Sequence, residues 1–386
     1  MLAGVTRGAD WDVAVIGSGP AGLAAAITAA RGGARTVVLE RSTHPRYKTC
    51  GGGLISTSMS AASRWVSVPT REQVHAASFT LRGGREFTRR LDDGPLISMV
   101  VREEFDNALR KAAQEAGAVI REQALVRSLV QDPERAAVRL VSGETVTARV
   151  IVGADGSGGV SARHVGARFE QVDVGLEVEL PVSRAQARDW QGRMLIDWGR
   201  LPGSYGWVFP KGDRLTVGVI GDRRDGAGLR AYLAEFVKKH ELDGLEPLHD
   251  SGHLTRCRAE DSPLALGRVL LAGDAAGLLE PWTREGISFA LRSGMLAGQV
   301  AAGHRNRPAE LAGAYTRLVT EDLVPEMAAG RRLIAAFRKH PAPFHTAMAT
   351  GVGWRAFAGM CRGELTFARA MRRRSLRAGM AVLAAI

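Results

Sequence analysis

Residues 12–22 read DVAVIGSGPAG, and this stretch decides the fold. The apolar, β-branched run at 12–16 indicates a strand buried inside a parallel sheet. A glycine-rich turn follows the strand, and the alanine-rich segment after the turn predicts a helix. A second apolar strand, 35–39, ends in Glu40. Together these elements predict a β–α–β unit.

The glycines of the turn form a Gly-x-Gly-x-x-Gly pattern in which each glycine has a separate task. Gly17 permits the tight turn, Gly19 lets the backbone approach a pyrophosphate, and Gly22 allows the helix to pack closely on the strand. The first helical turn, with Pro20 and Ala21, offers unpaired N–H groups and a partial positive charge to a phosphate. The pattern therefore predicts a dinucleotide-binding loop.

Glu40 indicates how the nucleoside end of the dinucleotide is bound. A carboxylate at the end of the second strand can accept hydrogen bonds from both ribose hydroxyls of an adenosine, and it would repel a 2′-phosphate. The site therefore disfavours NADP. A second segment, 226–231, nearly matches the glycine pattern. No strand runs directly into it and no acidic residue corresponds to Glu40, so we interpret it as the start of a helix after a loop.

The chain is expected to return to the first sheet late. Two apolar strands, 149–152 and 268–272, each run into a turn that contains glycine and aspartate. A helix around 102–116 and a strand near 118–130 precede them. The first-half strands are therefore predicted to be neighbours in one sheet.

A second, β-rich region is expected between the chain segments that form the first sheet. Residues 77–98 and 167–222 alternate in character and contain aromatic residues, which favours an antiparallel sheet. After about residue 286 the pattern is helical to the end, and prolines divide it. The pattern predicts an inserted sheet domain followed by a helical region.

Composition narrows the class of protein. With 386 residues, 45% hydrophobic and 24% charged, the chain is neither disordered nor fibrous and has room for about two domains. The cysteines Cys50, Cys257 and Cys361 lie far apart, so we expect a reducing cytosol, no disulfide framework and no metal site. The net charge of +12 favours anionic partners, but no nucleic-acid-binding signature occurs, so nucleic acid is not an expected partner.

NAD and FAD share the glycine fingerprint, so the choice between them depends on two later aspartates. Asp155 lies in a Gly-Ala-Asp-Gly turn and Asp274 in an Ala-Gly-Asp turn, each at the end of a predicted strand. Such an aspartate can bond a ribityl hydroxyl or a water beside the pyrophosphate. The helix that follows aims its N-terminus at the flavin atoms where negative charge gathers on reduction.

In this order, the three turns resemble those of the FAD-dependent family with the p-hydroxybenzoate hydroxylase fold. The resemblance implies an α/β protein: a Rossmann-like FAD-binding domain, an inserted antiparallel β-sheet substrate domain and a helical C-terminal part. The expected limits are 10–76, 99–166 and 256–303 for the FAD-binding domain, 77–98 and 167–255 for the substrate domain, and 304–386 for the helical part.

A closer resemblance is to the geranylgeranyl reductases, and it covers roughly residues 10–300. Their segments are similar to 45–54 (PRYKTCGGGL), 101–106 (VREEFD), 205–213 (YGWVFPKGD) and 280–287 (EPWTREGI), although Arg284 stands where the family usually has glycine. The resemblance implies an FAD-dependent reductase that saturates carbon–carbon double bonds of a polyprenyl lipid or isoprenoid. It takes electrons from NADPH or another donor.

The resemblance also assigns site residues. The residues expected to bind substrate are Tyr205, Trp207, Phe209 and Trp282. The residues expected to bind the cofactor are Gly17, Gly19, Pro20, Ala21, Gly22, Glu40, Arg41, Cys50, Gly51, Gly52, Arg102, Val126, Asp155, Gly156, Gly273, Asp274, Gly286 and Ile287.

Cys50 is the candidate catalytic residue. An unconjugated alkene accepts hydride poorly, so a proton must arrive on the other carbon at nearly the same time. A thiol is weakly acidic and tolerates apolar surroundings, so Cys50 could supply that proton or hold the flavin in position. The alternative is a small buried apolar residue. Gly51 and Gly52 would let the chain pass close to the flavin, or they form a mobile loop.

Alternation along a strand places Tyr205, Trp207 and Phe209 on one face. They could line a prenyl tunnel or belong to an ordinary core. Residues 364–386 mix arginines with apolar side chains, which is typical of a helix on an anionic membrane or of one docked on the protein body. We therefore expect a cytoplasmic enzyme, with peripheral contact at the inner membrane face as an alternative.

Two rival functions remain. A flavin-dependent aromatic monooxygenase or halogenase shares the fold, and a protein could bind FAD or lipid without turnover. Oxygen consumption coupled to an oxygenated product would favour the first rival, and absence of flavin reduction by any donor would favour the second.

Overall fold

The computed structural model describes residues 9–372. Its strands are β1 (Trp11–Ile16), β2 (Thr36–Leu39), β3 (Gly53–Leu54), β4 (Thr70–Val74), β5 (Ala76–Leu81), β6 (Phe87–Arg90), β7 (Ile97–Val100), β8 (Val119–Arg121), β9 (Val126–Gln131), β10 (Ala136–Leu140), β11 (Thr145–Gly153), β12 (Phe169–Pro181), β13 (Arg193–Trp198), β14 (Tyr205–Pro210), β15 (Arg214–Asp222), β16 (His249–Arg258), β17 (Ala265–Leu266) and β18 (Val269–Leu271). Its helices are α1 (Pro20–Arg31), α2 (Ser56–Ala62), α3 (Arg102–Glu115), α4 (Ser161–Val165), α5 (Arg184–Trp190), α6 (Gly226–Lys239), α7 (Ile287–His304), α8 (Pro308–Asp322), α9 (Val324–Lys339), α10 (Pro341–Ala349), α11 (Gly351–Cys361) and α12 (Phe367–Met371).

The first sheet follows the order β17-β18-β11-β1-β2-β8, and β9 and β10 extend it beside β11. Strand β1 is central: Val15 pairs in parallel with Val38 on one side and with Val152 on the other. Its apolar residues are buried, as expected for a central strand of a parallel sheet. This confirms the predicted Rossmann-like α/β arrangement and places the glycine turn at the carboxyl edge of the sheet.

Helices α1 and α7 pack side by side on this sheet. A β-carbon at Gly294 or at Gly298 would overlap the carbonyl oxygen of Ala21 or of Ala25, respectively. The register shows that the helices run in parallel. Because Gly294 lies level with Ala21, residue 293 lies level with Pro20, where α1 begins. Helix α7 begins at Ile287, six residues earlier, so its N-terminus projects about 9 Å beyond that of α1. Two helix N-termini thus reach different depths at the same sheet edge.

The second sheet has the order β16-β12-β15-β14-β13-β5-β6. Its pairs are antiparallel, as predicted, except that β13 and β5 are parallel. Strands β3, β7 and β4 form a small third sheet in the order β3-β7-β4. The loop that contains Cys50 leads directly into β3, where Gly53 pairs with Met99 of β7.

The prediction of one strand near 118–130 was wrong. Strand β8 pairs with β2, whereas β9 pairs with β10. Gln123 lies between them with φ of +55°, in the left-handed region that interrupts an extended strand. The near-match at 226–231 does begin a helix, α6, as expected.

The region after residue 286 is helical from α7 to α12, as predicted, with Pro308 and Pro341 as the first residues of their helices. Within residues 9–372, none of the helices combines the length and the apolar character that crossing a bilayer requires. The basic segment predicted at 364–386 lies mostly outside the described residues.

Candidate active site

Of the three glycines in the turn between β1 and α1, only Gly19 has open space beside it. A β-carbon at Gly17, which has φ of +94°, would strike the backbone of Ala154, and one at Gly22 would overlap the carbonyl oxygen of Gly17. At Gly19 the nearest atom would be Nη2 of Arg46, 3.9 Å away. No side chain caps α1 at Gly19, so its first N–H groups face this space. The turn fits a phosphate group.

Glu40 lies buried beside this turn. Its Oε2 accepts hydrogen bonds from the N–H of Ser18 at 2.8 Å and from Ser18 Oγ at 2.6 Å, and its Oε1 accepts one from the N–H of Ser42 at 2.9 Å. Burial alone would raise the pKa of Glu40, but the Ser18 bonds and the charge of Arg46 outweigh burial and lower the pKa. An ionised carboxylate at this position fits the predicted role toward ribose hydroxyls.

Two other predicted cofactor residues lie near Glu40. Arg41 follows it in the chain and is exposed. Val126 is half-buried at the start of β9, and the segment before it is tied to Glu40 because the N–H of Ala124 donates to the Glu40 carbonyl at 2.7 Å. The structure therefore brings both residues to the same end of the sheet as Glu40.

The turn after β11 holds Asp155 in place. Asp155 Oδ2 accepts from the N–H and the Oγ of Ser161, both at 3.0 Å, and Gly156 adopts φ of +75°. Asp155 Oδ1 is buried and has no hydrogen-bond partner within residues 9–372, and burial raises the pKa of this carboxyl. The Asp155 Cα lies beside Gly17, since a β-carbon on Gly17 would come within 3.1 Å of it, while both carboxylate oxygens lie against Gly159.

Asp274 follows β18 and faces the beginning of α7. A β-carbon at Gly286, the residue before α7, would lie 3.8 Å from Asp274 Oδ1. Burial raises the pKa of Asp274, but a hydrogen bond from His253 and the charges of Lys48 and Arg102 outweigh burial and lower the pKa. The carboxylate is thus ionised within a group of cations. Gly286 lies beside it, and Ile287, the next residue, begins α7.

Gly273 connects this turn to the first helix. It has φ of +58°, and a β-carbon on it would come within 2.8 Å of the Ala21 β-carbon. Its N–H donates to Ser293 Oγ on α7 at 2.9 Å. The three predicted turns therefore meet at one edge of the sheet.

The Cys50 loop is tightly packed against its surroundings. The N–H of Cys50 donates to Glu177 Oε1 at 2.7 Å, and the N–H of Gly52 approaches Cys50 Sγ at 3.4 Å. Gly52 has φ of +72°, and a β-carbon there would overlap the Val100 carbonyl oxygen. The glycines are therefore explained by close packing, which does not favour the alternative of a loose loop.

Cations surround the half-buried Cys50. Arg102 donates to both carboxylate oxygens of Asp106 at 2.9 Å, and Arg46 lies 3.5 Å from the same carboxylate. Burial would lower the pKa of Arg102, but the charge of Asp106 and hydrogen bonds to Asp106 and Cys50 outweigh it and raise the pKa. Burial and the neighbouring Arg102 lower the pKa of Lys48. Arg102 therefore remains a cation and presents positive charge next to the sulfur atom of Cys50.

Tyr205, Trp207 and Phe209 do share one face of β14 and form what we call the aromatic row. Neighbouring ring centroids are 5.9 and 6.1 Å apart. A β-carbon at Gly51 would lie 2.9 Å from the Phe209 ring and 3.3 Å from Trp207 Nε1. At the other end of the row, Tyr205 donates its hydroxyl to the Thr283 carbonyl at 2.5 Å. The row thus connects the Cys50 loop with the turn before α7.

Trp282 does not join the aromatic row. It is buried in a different aromatic cluster, which it shares with Trp198 of β13 and with side chains of the C-terminal helices, namely Phe337, Phe344 and Phe367. Its predicted contact with substrate gains no support from this position.

Glu280 begins the turn before α7. Its Oε2 accepts hydrogen bonds from the N–H of Trp282 at 3.1 Å and from the N–H and Oγ1 of Thr283, both at 2.5 Å. Its Oε1 is buried against Gly330 and has no partner among the described residues. Burial raises the pKa of Glu280 to about 7, despite these hydrogen bonds.

Arg284 fixes the same turn to the second sheet. It has φ of +57°, an unusual value for a residue other than glycine. Its Nε donates to Asp173 Oδ2 at 3.0 Å, and its Nη1 and Nη2 donate to the carbonyls of Trp282 and Gly203 at 2.7 and 3.0 Å. Both partners of the ion pair are buried.

Sequence reasoning missed the buried acids of β12. Glu177 and Glu179 point toward the Cys50 loop, and Lys211 donates to Glu179 at 3.0 Å. A signal was present in DVGLEVELPV, because acids two residues apart in an apolar strand share a face. Charged residues on a buried face need a partner or a function.

Comparisons with known proteins identify the family of the chain. The family described as FAD binding domain matches residues 10–317. The chain is 31% identical over 336 residues to menaquinone reductase of Mycobacterium tuberculosis (strain ATCC 25618 / H37Rv), covering 79% of this chain and 81% of that protein. It is 30% identical over 317 residues to a chloroplastic geranylgeranyl diphosphate reductase of Oryza sativa subsp. japonica, covering 76% and 67%.

Among solved structures, the chain resembles a geranylgeranyl bacteriochlorophyll reductase-like protein of Thermoplasma acidophilum. The TM-score is 0.77 at 21% identity, and the match covers 97% of this chain and 99% of that one. At this identity the likeness shows the fold alone.

Proposed function

Because the chain belongs to the family of FAD-dependent oxidoreductases that includes the geranylgeranyl reductases, we propose that it saturates carbon–carbon double bonds of a polyprenyl lipid or isoprenoid. The observation that carries this proposal is the contact between the Cys50 loop and the aromatic row. An apolar surface lies directly beside a thiol and a group of cations. This arrangement suits an apolar substrate that needs a proton.

The residues present fit FAD. The open face at Gly19 and the uncapped N-terminus of α1 suit the pyrophosphate, and Glu40 suits the ribose. The partnerless Oδ1 of Asp155 can accept a hydroxyl. The N-terminus of α7, which projects about 9 Å further than that of α1, suits the distant ring system. When bound and reduced, FAD supplies a hydride from its N5 atom.

We propose NADPH or another reductant as the electron donor, as the resemblance to the geranylgeranyl reductases implies. Glu40 carries a negative charge at the adenosine end of the fingerprint and would repel a 2′-phosphate there. NADPH would therefore have to deliver its electrons from another approach to the flavin.

Cys50 is assigned the proton chemistry of the site. Its thiol either donates a proton to the substrate carbon or positions the cofactor, and the surrounding Arg102 and Lys48 stabilise the negative charge that remains on sulfur after donation. The aromatic row excludes water and binds the prenyl chain by apolar contact. Burial of each methylene contributes about 0.8 kcal/mol, so a long chain binds without polar contacts.

If the substrate is a prenyl lipid of the membrane rather than a free isoprenoid, peripheral contact with the membrane belongs to the same proposal. The basic segment at 364–386 is a candidate for that contact, since arginines and apolar side chains together favour an anionic bilayer surface.

Anaerobic incubation of the reduced holoprotein with a panel of prenyl lipids tests the proposal. Mass spectrometry should show a product that has gained the mass of one hydrogen molecule per double bond. Cys50→Ala should retain the yellow colour and slow saturation strongly. Cys361→Ala, which removes a thiol from α11, should retain both the colour and the rate of saturation. No saturated product in this incubation, together with consumption of oxygen and an oxygenated product in a parallel aerobic incubation, would refute the proposal in favour of a monooxygenase.

A further inference from the structure

Two buried glutamates lie on the face of β12 that meets the Cys50 loop. Glu177 and Glu179 are 1% and 3% exposed. They alternate with Val178 and Leu180, which face the apolar core of the second sheet. Burial of an acid is costly unless cations or hydrogen bonds compensate for lost hydration. The two glutamates obtain this compensation differently.

Glu179 is paired with cations. Lys211, itself 1% exposed, donates to its Oε1 at 3.0 Å, and Arg214 Nη1 lies 3.6 Å from its Oε2. Thr216 Oγ1 lies 3.4 Å from Oε1. Glu179 is therefore stabilised as a carboxylate.

Glu177 has only neutral donors within hydrogen-bond distance among the described residues. Its Oε1 accepts from Tyr47 Oη at 2.9 Å and from the N–H of Cys50 at 2.7 Å. Burial raises the pKa of Glu177, and the charge of Glu179 adds to this effect, while Lys211 opposes it without cancelling it. Glu177 is thus the carboxyl of the pair that can hold a proton.

Hydroxyl groups connect Glu177 with the edge of the second sheet. Tyr47 Oη lies 2.9 Å from Ser251 Oγ, and Thr49 Oγ1 donates to the same Ser251 oxygen at 2.9 Å. Ser251 is half-buried on β16, which is the edge strand. The Tyr47 ring is held by stacking on His249, with centroids 3.8 Å apart.

Tyr47 remains protonated in this arrangement. Burial and the charge of Glu177 raise its pKa above the usual value. It can therefore pass a proton only by accepting one and donating another, as a hydroxyl in a hydrogen-bonded chain does.

We propose that Ser251, Tyr47 and Glu177 form a proton path that resupplies Cys50, with Glu177 as the residue that stores the proton. This rests on the proposed function. Saturation breaks the π bond and forms two C–H bonds, one from the hydride of the cofactor, which is oxidised, and one from the S–H of Cys50. The resulting thiolate regains a proton from the Glu177 carboxyl, whose Oε1 lies 2.7 Å from the amide nitrogen of the same cysteine. The Glu177 carboxylate regains one from water through Ser251 and Tyr47. Glu177 is a positioning residue, since it acts through Cys50.

The variant Glu177→Gln tests the path. Glutamine keeps an oxygen that can accept from Tyr47 and Cys50 but cannot give up a proton. General acid–base groups contribute about 10²–10⁴-fold to rate, so kcat for multiple turnovers should fall by roughly 100-fold with KM little changed. Tyr47→Phe should lower kcat while leaving the Glu177 carboxyl in place. Glu170→Gln, an exposed acid on the same strand, is the matched control and should change neither value.

Infrared difference spectroscopy provides a readout that does not depend on turnover. The wild-type holoprotein and Tyr47→Phe should show the C=O band of a protonated carboxyl that titrates above the range of an ordinary glutamate, and Glu177→Gln should lack this band. A spectrum that is identical in wild type and Glu177→Gln would overturn the storage of a proton at Glu177. An unchanged kcat and pH profile in Glu177→Gln would overturn the path. If the wild type saturates no prenyl lipid, the proposed function fails, and the band alone decides whether Glu177 holds a proton.

Discussion

Gly51 lies against the ring of Phe209, so closely that a β-carbon on Gly51 would come within 2.9 Å of Cδ2 and Cε2 of that ring. This contact joins the loop that carries the only candidate catalytic thiol to the strand that carries the aromatic row. It also explains why a residue without a side chain follows Cys50 directly. The aromatic row therefore borders the loop that carries the thiol.

Gly51→Ala should displace Phe209 and separate the thiol from the aromatic row. Overpacking of this kind typically costs about 1–3 kcal/mol, and here it also changes the surface on which a prenyl chain would lie. We expect FAD content to be retained and prenyl saturation to fall at least tenfold, a loss of about 1.4 kcal/mol in transition-state stabilisation. Flavin absorbance and product mass spectrometry check both points. Gly313→Ala on α8, where a β-carbon meets open space, is the control.

Gly19→Ala and Gly22→Ala should fail in different ways. At Gly19 a β-carbon fits the protein itself but occupies the space proposed for a phosphate, so the variant should fold normally and bind FAD poorly. At Gly22 a β-carbon overlaps the Gly17 carbonyl oxygen, so the apoprotein should lose stability. Thermal unfolding of the apoproteins and titration with FAD separate these outcomes. Equal FAD affinity in Gly19→Ala and wild type would contradict the phosphate assignment.

Arg284→Gly should destabilise the protein even though glycine suits the local backbone. Relief of the left-handed conformation is worth about 1–2 kcal/mol, whereas removal of one partner of a buried ion pair costs about 3–5 kcal/mol and leaves Asp173 without its cation. We expect a net loss of about 2 kcal/mol in the free energy of unfolding. Addition of Asp173→Asn should recover part of it. Denaturant unfolding of both variants measures this coupling, and an additive result would argue against the pair.

Glu280 should make stability fall as pH rises toward neutrality. Its pKa is about 7 in the folded protein, against an ordinary value of 4.5, so the folded state binds the proton more tightly than the unfolded state. The stabilising contribution is complete below pH 4.5 and is lost as pH rises through about 7. Its full size is about 3 kcal/mol. Glu280→Gln should remove this slope from the pH dependence of unfolding. A slope equal to that of wild type would contradict the assignment.

The sequence predicted the parts of the site that depend on local backbone geometry. Gly17 needs a positive φ, and Gly22 needs close helix–strand packing, so the pattern of glycines in the sequence predicts the local backbone structure. The same holds for Asp155 and Asp274, because the ends of parallel strands meet at one sheet edge. These positions could be read without knowledge of distant contacts.

The parts that were not predicted depend on contacts between distant segments. Glu177 meets Cys50 across 127 positions of sequence, and Arg284 meets Asp173 across 111. Nothing local to Trp282 shows that C-terminal helices bury it. The split of β8 from β9 likewise follows from the backbone at Gln123. Tertiary packing decides such features, and a periodic pattern does not record it.

The most direct test of the account follows the flavin absorbance of reduced holoprotein when a prenyl lipid is added in the absence of oxygen. The account predicts that an unsaturated geranylgeranyl compound restores the absorbance of oxidised flavin, with one double bond saturated for each flavin oxidised. A fully saturated analogue of equal length should leave the flavin reduced. A flavin that stays reduced with every prenyl compound, and is reoxidised only when oxygen is admitted, would contradict the account.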